Sequence, residues 1–352
     1  MANAPQYSQQ PIIVYQQGTF SRFLGWLGWA AFFLCALILM TQWSTMAEYF
    51  DTSGGITEKF VSGDKFGDDK IAIISIEGVI AEGDGFVKRQ IDRVAKDENV
   101  KAIVVRVDSP GGTVTGSDYI LHHLKKLRKE KSDIPLVVSM GSMAASGGYY
   151  VSMAVGDQEN VIYAEPTTTT GSIGVIIPHY DISGLMAKFD IKDDSIASHE
   201  RKQMLTMTKP IPQEHREIIQ GYVNESFGRF KSIIKEGRPG FKADESKLDQ
   251  LATGEIFSAD QALKHGLVDK IGFIEDAIDR ALELAKLDKA KTRVVEFEKP
   301  ASLFDVGAIA MSRAAEPAGR SELHLLMEMS TPRPYYLLTS LPILAGSHRG
   351  RD

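Results

Sequence analysis

The chain has 352 residues, of which 43% are hydrophobic, and 40 Lys and Arg against 46 Asp and Glu give a net charge of -6. This length is sufficient for a sizeable core, and the acidic balance argues against nucleic acid as a partner, because nucleic-acid binding needs a basic surface. The single cysteine, Cys35, excludes a disulfide framework or a multi-cysteine zinc site within one chain.

The first strong feature is an 18-residue run without charge, FLGWLGWAAFFLCALILM, over 23–40. As a helix it would be about 27 Å long, close to the hydrocarbon thickness of a bilayer. A cleaved signal peptide is the alternative, but its apolar core is usually only about 7 to 15 residues long. We therefore predict an N-terminal tail over 1–22 and an uncleaved transmembrane anchor over 23–43. Arg22 favours a cytoplasmic N-terminus and an extracytoplasmic domain.

Beyond the anchor, the composition and the hydrophobic pattern of the chain change twice. Residues 44–70 are rich in Gly, Ser and charge, and predict a linker. Short β-branched runs then alternate with helical patterns, which is typical of an α/β fold with a mainly parallel sheet. The predicted strands cover 71–80, 102–107, 135–140, 160–164 and 171–178, and the predicted helices between them cover 86–97, 115–131, 146–155 and 180–188.

After residue 210 the pattern becomes mostly helical. We predict one α/β unit over 71–290 and a C-terminal extension over 291–352. The apolar stretch YYLLTSLPILAG, over 335–346, is too short to span a membrane and predicts a core strand or an oligomer contact. The predicted helices of this part cover 212–235, 258–265 and 273–286, and a strand is predicted over 292–297.

Three glycine-containing turns follow predicted strands. In VDSPGGTVTGS, the residues Gly111 and Gly112 can adopt positive φ and expose N–H groups at a helix N-terminus. Such groups can form an oxyanion hole, although a plain strand-to-helix turn explains the motif equally well. In SMGSMAASGGYYVSMA, Ser146 and Gly147 resemble a nucleophile turn, with close packing as the alternative. In TTTTGSIGVI, Ser172 supplies a further hydroxyl.

A serine nucleophile needs a base, and the chain offers histidine or lysine. It contains eight histidines but no H-E-x-x-H, so a zinc peptidase has no support, and no phosphate-binding glycine loop occurs. A lysine serves as base when burial favours its neutral form. The segment SHERKQMLTMTKP contains the candidates Lys202 and Lys209.

The order SPGG, MAASGGYY, TGSIGV and a lysine about thirty residues on resembles the signal peptide peptidase A family. This family comprises membrane-anchored serine–lysine peptidases of the ClpP/crotonase superfamily, and the resemblance covers about 71–290. It implies a fold of repeated ββα units with mainly parallel sheets. It also implies that Ser146 is the nucleophile, that Lys202 is the general base, and that Ser172 orients the lysine amine.

The resemblance assigns the oxyanion site to the N–H groups of Gly111, Gly112 and Gly147. This chain has H-E-R-K where the family usually has a sequence such as G-K-Y-K, so Lys209 stays open as an alternative base. The implied partners are extended peptide substrates, the membrane and further copies of the chain, in a ring whose sites are shared between subunits. No metal or organic cofactor is expected, and the implied location is the bacterial cytoplasmic membrane.

Three other functions fit parts of the pattern. A membrane-anchored esterase or lipase would pair Ser146 with a histidine. A stomatin-associated membrane peptidase would share the fold and differ in substrate. A crotonase-type scaffold without catalytic activity would keep the fold for assembly alone.

Overall fold

The computed structural model describes residues 19–50, 55–298 and 335–337, and the chain divides between Gly55 and Ile56 into two compact units. The first unit contains α1 (Thr19–Phe50), one continuous helix. Its stretch Gly25–Gln42 has a mean hydropathy of 1.6 and is not buried. By length and composition this helix can cross a bilayer.

The second unit is built on a sheet that joins nine of the described strands. In chain order the described strands are β1 (Thr57–Gly63), β2 (Asp69–Glu77), β3 (Val100–Ser109), β4 (Gly111–Thr113), β5 (Leu136–Ala145), β6 (Ile162–Ala164), β7 (Thr169–Gly171), β8 (Ile256–Ser258), β9 (Lys270–Ile271), β10 (Thr292–Glu298) and β11 (Tyr335–Leu337). Two of them, β4 and β11, form a separate pair outside this sheet. The sheet order is β1-β10-β2-β3-β5-β6-β9, while β7 pairs with β5 and with β8. Among the described strands of this sheet, only the pairs β1–β10 and β7–β8 are antiparallel. The mainly parallel α/β fold is therefore confirmed.

Helices connect and cover these strands. They are α2 (Phe86–Lys96), α3 (Val114–Glu130), α4 (Gly147–Ser152), α5 (Ser183–Lys188), α6 (Gln213–Gly237), α7 (Pro239–Ala243), α8 (Glu245–Leu251), α9 (Ala259–His265) and α10 (Ile274–Ala285), with 3₁₀ turns at Met153–Val155 and Glu200–Gln203. The local sequence determines where some of these helices begin. Thr113 caps the N-terminus of α3 by accepting the N–H of Gly116, and Ser258 and Gln261 form a capping box at the N-terminus of α9.

The core lies along the three central strands β2, β3 and β5. Their runs 71–74, 103–105 and 136–138 are almost wholly buried, as expected for parallel strands that are covered on both faces. Helix α10 contacts β3 and β5, helix α4 contacts the same strands, and α2, α3 and α4 pack in series. This packing fixes the carboxyl ends of β3, β5 and β7, where the glycine turns lie.

The structure differs from the sequence expectations in two segments, 171–178 and the predicted linker, and it describes a third, 335–346, only in part. The predicted strand 171–178 is wrong beyond Gly171, because Gly171 and Ser172 have φ values of +82° and +50°, which end the extended backbone. Within the predicted linker, 57–63 forms β1, paired with β10. Of the stretch 335–346, only the first three residues are described; they form β11, antiparallel to β4, and the rest lies outside the described residues.

Candidate active site

Ser146 lies on a strained turn between a strand and a helix. Strand β5 ends at Ala145 and helix α4 begins at Gly147, and Ser146 between them has φ +52° and ψ -113°. An L-residue rarely adopts such a backbone, and this strain is typical of functional positions. The Ser146 N–H donates to the Gly171 carbonyl at 2.8 Å, and its own carbonyl accepts the N–H of Tyr150 at 2.8 Å. These bonds hold the strand–turn–helix geometry of a nucleophile elbow.

The hydroxyl of Ser146 has no partner among the described residues. Its side-chain oxygen is buried, and the residue is 1% exposed. Most buried polar atoms form hydrogen bonds, and a structural serine nearby does so: the hydroxyl of Ser152 donates to the Gly148 carbonyl at 2.9 Å. A buried, unpaired hydroxyl on a strained turn is therefore unusual for a packing residue and suits a reactive group.

The glycine turn after β3 packs directly against the first residue of α4. A Cβ placed on Gly147 would lie 3.0 Å from the Cα of Gly111 and 3.2 Å from the amide nitrogen of Gly112, and it would clash with the Ser117 hydroxyl. Only glycine permits this approach. The three predicted oxyanion residues are thus brought together beside Ser146.

Hydrogen bonding distinguishes Gly111 from Gly112. The Gly111 N–H donates to the Ser109 hydroxyl at 3.1 Å, and its carbonyl accepts the N–H of Ile80 at 2.8 Å. The Thr113 N–H donates to the Ile80 carbonyl at 2.8 Å. Because successive strand residues direct their amides to opposite edges, the N–H of Gly112 faces away from Ile80. This geometry favours Gly112 as the donor from this turn, while Gly111 supplies its positive φ of +94°.

Ser172 lies beside Ser146 at the end of the neighbouring strand. Strands β5 and β7 are parallel, and their register pairs Ala145 with Gly171. Ser146 and Ser172 are the next residues of the two strands, so they lie side by side at the strand ends. Adjacent strands are about 5 Å apart, so the serine backbones are neighbours. Ser172 also has a positive φ, and its N–H donates to the Glu255 carbonyl at 2.6 Å.

The threonine run before Ser172 has a structural role. The hydroxyl of Thr168 donates to the Gly141 carbonyl, and that of Thr170 donates to the Ala144 carbonyl, both at 2.6 Å. These bonds fix β7 and its approach against β5.

The two candidate lysines have different surroundings. Lys202 lies in the 3₁₀ turn before α6, is exposed, and its amine has no hydrogen bond or ion pair in the part of the chain that the structure describes. The Lys209 amine lies 3.4 Å from an Asp193 carboxylate oxygen and 3.2 Å from the Gln203 side-chain oxygen. Neither lysine is bonded to Ser146, whose side-chain oxygen has no hydrogen-bond partner in the described ranges.

Asp193 is a stable anion in this segment. Hydrogen bonds from the hydroxyls of Ser195 and Thr208 hold the pKa of its carboxyl well below the usual range. The Lys209 amine thus forms an ion pair with Asp193, whereas the Lys202 amine has no ion pair among the described residues.

No described histidine serves Ser146 as a base. Six of the eight histidines lie within the described ranges, and none bonds to its hydroxyl; His324 and His348 lie outside those ranges. No group of three or more His, Cys, Asp or Glu side chains in the described residues is placed to hold a metal ion.

Sequence reasoning missed two supporting residues, Ser109 and Ser117. Ser109 donates its hydroxyl to the Gly78 carbonyl at 2.6 Å while accepting the Gly111 N–H, and Ser117 donates to the Thr113 carbonyl at 2.9 Å. Both flank the glycines of VDSPGGTVTGS, and small hydroxyl residues next to a glycine pair were the available signal.

A strained serine between strand and helix, next to a cluster of glycine N–H groups, is the arrangement of a hydrolase that attacks through a serine. Residues 128–288 match the model of peptidase family S49. The chain is 34% identical over 247 residues to the "Putative signal peptide peptidase SppA" of Enterococcus faecium, covering 67% of this chain and 69% of that protein. It is 32% identical over 236 residues to "Protease 4" of Haemophilus influenzae, covering 65% and 37%.

A third relative is the "Serine protease SPPA, chloroplastic" of Arabidopsis thaliana, 29% identical over 261 residues, covering 70% of this chain and 37% of that protein. The chain belongs to peptidase family S49. It is a serine peptidase, and the resemblance on which the sequence analysis relied is confirmed.

Proposed function

We propose that the protein is a membrane-anchored endopeptidase in which Ser146 is the nucleophile, Lys202 the general base and Ser172 the residue that orients the lysine amine. Its substrates are remnant signal peptides or other short, unfolded peptides at the membrane. The observation that carries the proposal is the buried, unpaired Ser146 hydroxyl on a strained turn beside the N–H groups of Gly112 and Gly147.

The chemistry follows from these groups. The neutral lysine amine takes the hydroxyl proton as the serine oxygen bonds to the substrate carbonyl carbon. The oxyanion accepts hydrogen bonds from the two glycine N–H groups. The carbon–nitrogen bond then breaks, and the lysine passes its proton to the leaving amine. Water, activated by the same lysine, hydrolyses the acyl-enzyme and restores the serine.

A second copy of the chain completes the site in this proposal. Lys202 is exposed and its amine is unpaired among the described residues of its own chain, and the Ser146 hydroxyl has no base among those residues. The segment 176–207 around Lys202 exposes large apolar side chains: Ile176, Tyr180, Ile182, Leu185, Phe189, Ile191, Ile196 and Met207. An apolar surface of this extent marks a protein interface. An interface would also bury the lysine amine, and burial favours the neutral form that a base requires.

The location and substrate class rest on α1. Its apolar stretch supports a single-pass anchor, and Arg22 before it supports a cytoplasmic N-terminus with the peptidase unit on the other side. A ring of such units above the bacterial cytoplasmic membrane would admit extended peptides and exclude folded proteins. Substrate strands would add to the edge of β4 that β11 occupies in the structure, in place of β11.

Complementation between inactive variants tests the shared site. The full-length protein is purified in detergent micelles as Ser146→Ala and as Lys202→Ala, and each should have lost peptide cleavage. Subunits are then mixed under exchange conditions. We expect partial recovery of activity, because some interfaces combine an intact serine with an intact lysine.

The matched control is Lys209→Ala, which should keep most activity. Loss of activity in Lys209→Ala with full activity in Lys202→Ala would assign the base to Lys209. Mixed oligomers that show no recovery would contradict the shared site, and activity in Ser146→Ala would contradict the proposed nucleophile.

A further inference from the structure

Strands β2 and β10 separate part-way along the sheet, and a groove opens between them. Their parallel pairing ends where Ala72 lies opposite Val295. Beyond that point β2 continues to Glu77 along β3, while β10 continues to Glu298 along β1. The groove is lined chiefly by 75–87 and 296–298, and its volume of about 820 Å³ lies within the range of ligand-binding clefts, roughly 300 to 1,000 Å³. At this place β2 has an edge that no described strand covers.

The uncovered edge of β2 presents backbone groups to the groove. The Gly78 N–H donates to the Asp108 carbonyl of β3 at 2.9 Å, so the N–H and C=O of Glu77 point to the opposite edge, where neither has a partner among the described residues. Two residues earlier, the side-chain amide of Gln90 accepts the Ser75 N–H and donates to the Ser75 carbonyl, both at 2.9 Å. A primary amide carries the donor and acceptor of a peptide group. This edge therefore already binds one peptide-like group and has room for the next.

The groove is strongly acidic. Its lining contains five carboxylates and, within the described ranges, one cation, Lys59. The Lys59 amine is held by Glu296 at 2.8 Å and by Glu298 at 2.7 Å. The three other carboxylates are exposed and have no ion pair or hydrogen bond in the part of the chain that the structure describes; they belong to Glu77, Glu82 and Asp84. This unmatched negative charge favours a cationic ligand.

These features fit a polypeptide better than a metal ion. In the described residues, no group of three or more His, Cys, Asp or Glu side chains is placed to hold a metal. The free carboxylates are instead spread along 77–84, and so match several cations in a row, such as the side chains of an extended basic peptide. Apolar side chains that include Ile80, Phe86 and Phe297 also line the groove, and they would cover the hydrocarbon stems of lysine or arginine.

The groove is separate from the edge of β4. The Ile80 N–H donates to the Gly111 carbonyl and the Ile80 carbonyl accepts the Thr113 N–H, both at 2.8 Å, so the backbone around Ile80 lies between the groove and the glycine turn. We propose that the groove is a second, non-catalytic peptide-binding site, which takes an extended segment rich in lysine and arginine as an added strand along Glu77. This site goes beyond the proposed function and does not depend on which residue is the nucleophile.

The test measures peptide binding to the full-length Ser146→Ala variant in micelles of a non-ionic detergent. Three fluorescein-labelled peptides of equal length alternate valine with lysine, serine or glutamate, and binding is followed by fluorescence anisotropy. We expect the lysine peptide to bind at least about tenfold more tightly than the serine peptide, through several ion pairs together, and the glutamate peptide to bind least. The differences should shrink as salt is added.

Charge variants locate the binding in the groove. Glu77→Gln/Glu82→Gln should weaken binding of the lysine peptide about three- to tenfold, because each exposed ion pair contributes modestly. Glu130→Gln/Glu275→Gln removes the same charge from exposed positions in α3 and α10, and this matched control should leave binding unchanged. The reversal Glu77→Lys/Glu82→Lys should make the glutamate peptide bind more tightly than the lysine peptide. Thermal unfolding checks that each variant is folded.

A modified peptide tests strand addition. The lysine peptide methylated at every backbone nitrogen keeps its charges but cannot donate to the edge of β2, and it should bind at least about fivefold more weakly. Equal binding of the methylated peptide would overturn strand addition. Equal binding of the lysine and serine peptides, or the same effect of the groove variant and its control, would overturn the site. None of these results requires cleavage, so a failure of the proposed function and a failure of this site are distinguishable.

Discussion

The substitution Gly147→Ala tests the oxyanion geometry directly. The new methyl group would clash with the Ser117 hydroxyl and would lie only 3.0 Å and 3.2 Å from backbone atoms of Gly111 and Gly112. Helix α4 must then move away from the β4 turn, and its first N–H moves with it. Losing one oxyanion donor lowers kcat by about 10² to 10³, equivalent to about 3 to 4 kcal/mol. We therefore expect kcat to fall at least about 100-fold, with a smaller change in KM.

The assay is cleavage of a short peptide by the full-length protein, with thermal unfolding measured in parallel. Gly221→Ala is the matched control: it is a helical glycine in α6 with no atom within 4 Å of the added Cβ. It should keep kcat and raise stability by up to about 1 kcal/mol. The double variant Gly147→Ala/Ser117→Gly removes the nearest clashing atom and should recover about tenfold in kcat.

Two results would refute the reasoning. Gly147→Ala with wild-type kcat and an unchanged unfolding temperature would show that its N–H does not stabilise the oxyanion. A double variant as inactive as the single one, although folded, would show that crowding by Ser117 is not the cause of the loss.

Three further predictions concern stability, assembly and topology. Partial burial raises the pKa of Asp97, but hydrogen bonds from Lys70 and a backbone amide outweigh this effect and lower the pKa of its carboxyl below the usual value. Asp97→Asn should therefore lose about 1 to 2 kcal/mol of stability at pH 7, and the stability difference from the wild type should narrow as the pH falls through the lowered pKa, measured as thermal unfolding over a series of acidic pH values. A stability difference that widens as the pH falls would contradict this sign. Ile196→Glu, at a fully exposed side chain, should disrupt the proposed oligomer and lower activity at least about tenfold, whereas Phe66→Glu should do neither, as measured by light scattering and peptide cleavage. Protease added to intact spheroplasts should remove the peptidase unit; protection until the membrane is opened would reverse the topology.

Local sequence was sufficient to find the strained turns. Small residues around Ser146 and glycine before Ser172 mark places where the backbone must bend or be approached, and both serines have positive φ in the structure. The same reasoning extended the strand through Ser172, because Ile173 and the residues after it are apolar and β-branched. Hydropathy carries no information on a single residue's φ, so the end of β7 was not predictable from it.

Contacts between distant parts of the chain were beyond sequence reasoning. Tyr336 pairs with Gly112 across more than two hundred residues, and its ring meets Tyr150 and Phe230 from two other elements. No periodicity in YYLLTSLPILAG indicates which of its tyrosines is buried. The role of Lys202 stays a prediction for the same reason, because its partner in the proposal belongs to another chain.

The unpaired hydroxyl of Ser146 also bears on when a newly made chain becomes active. If the base comes from a neighbour, a newly synthesised chain carries a nucleophile that nothing deprotonates, and it is dormant during its own insertion into the bilayer. Activity then begins only when chains meet in the membrane plane, so it rises more steeply than the number of molecules. A cell that makes few copies would have almost no proteolysis, and specific activity would increase with surface density until assembly is complete.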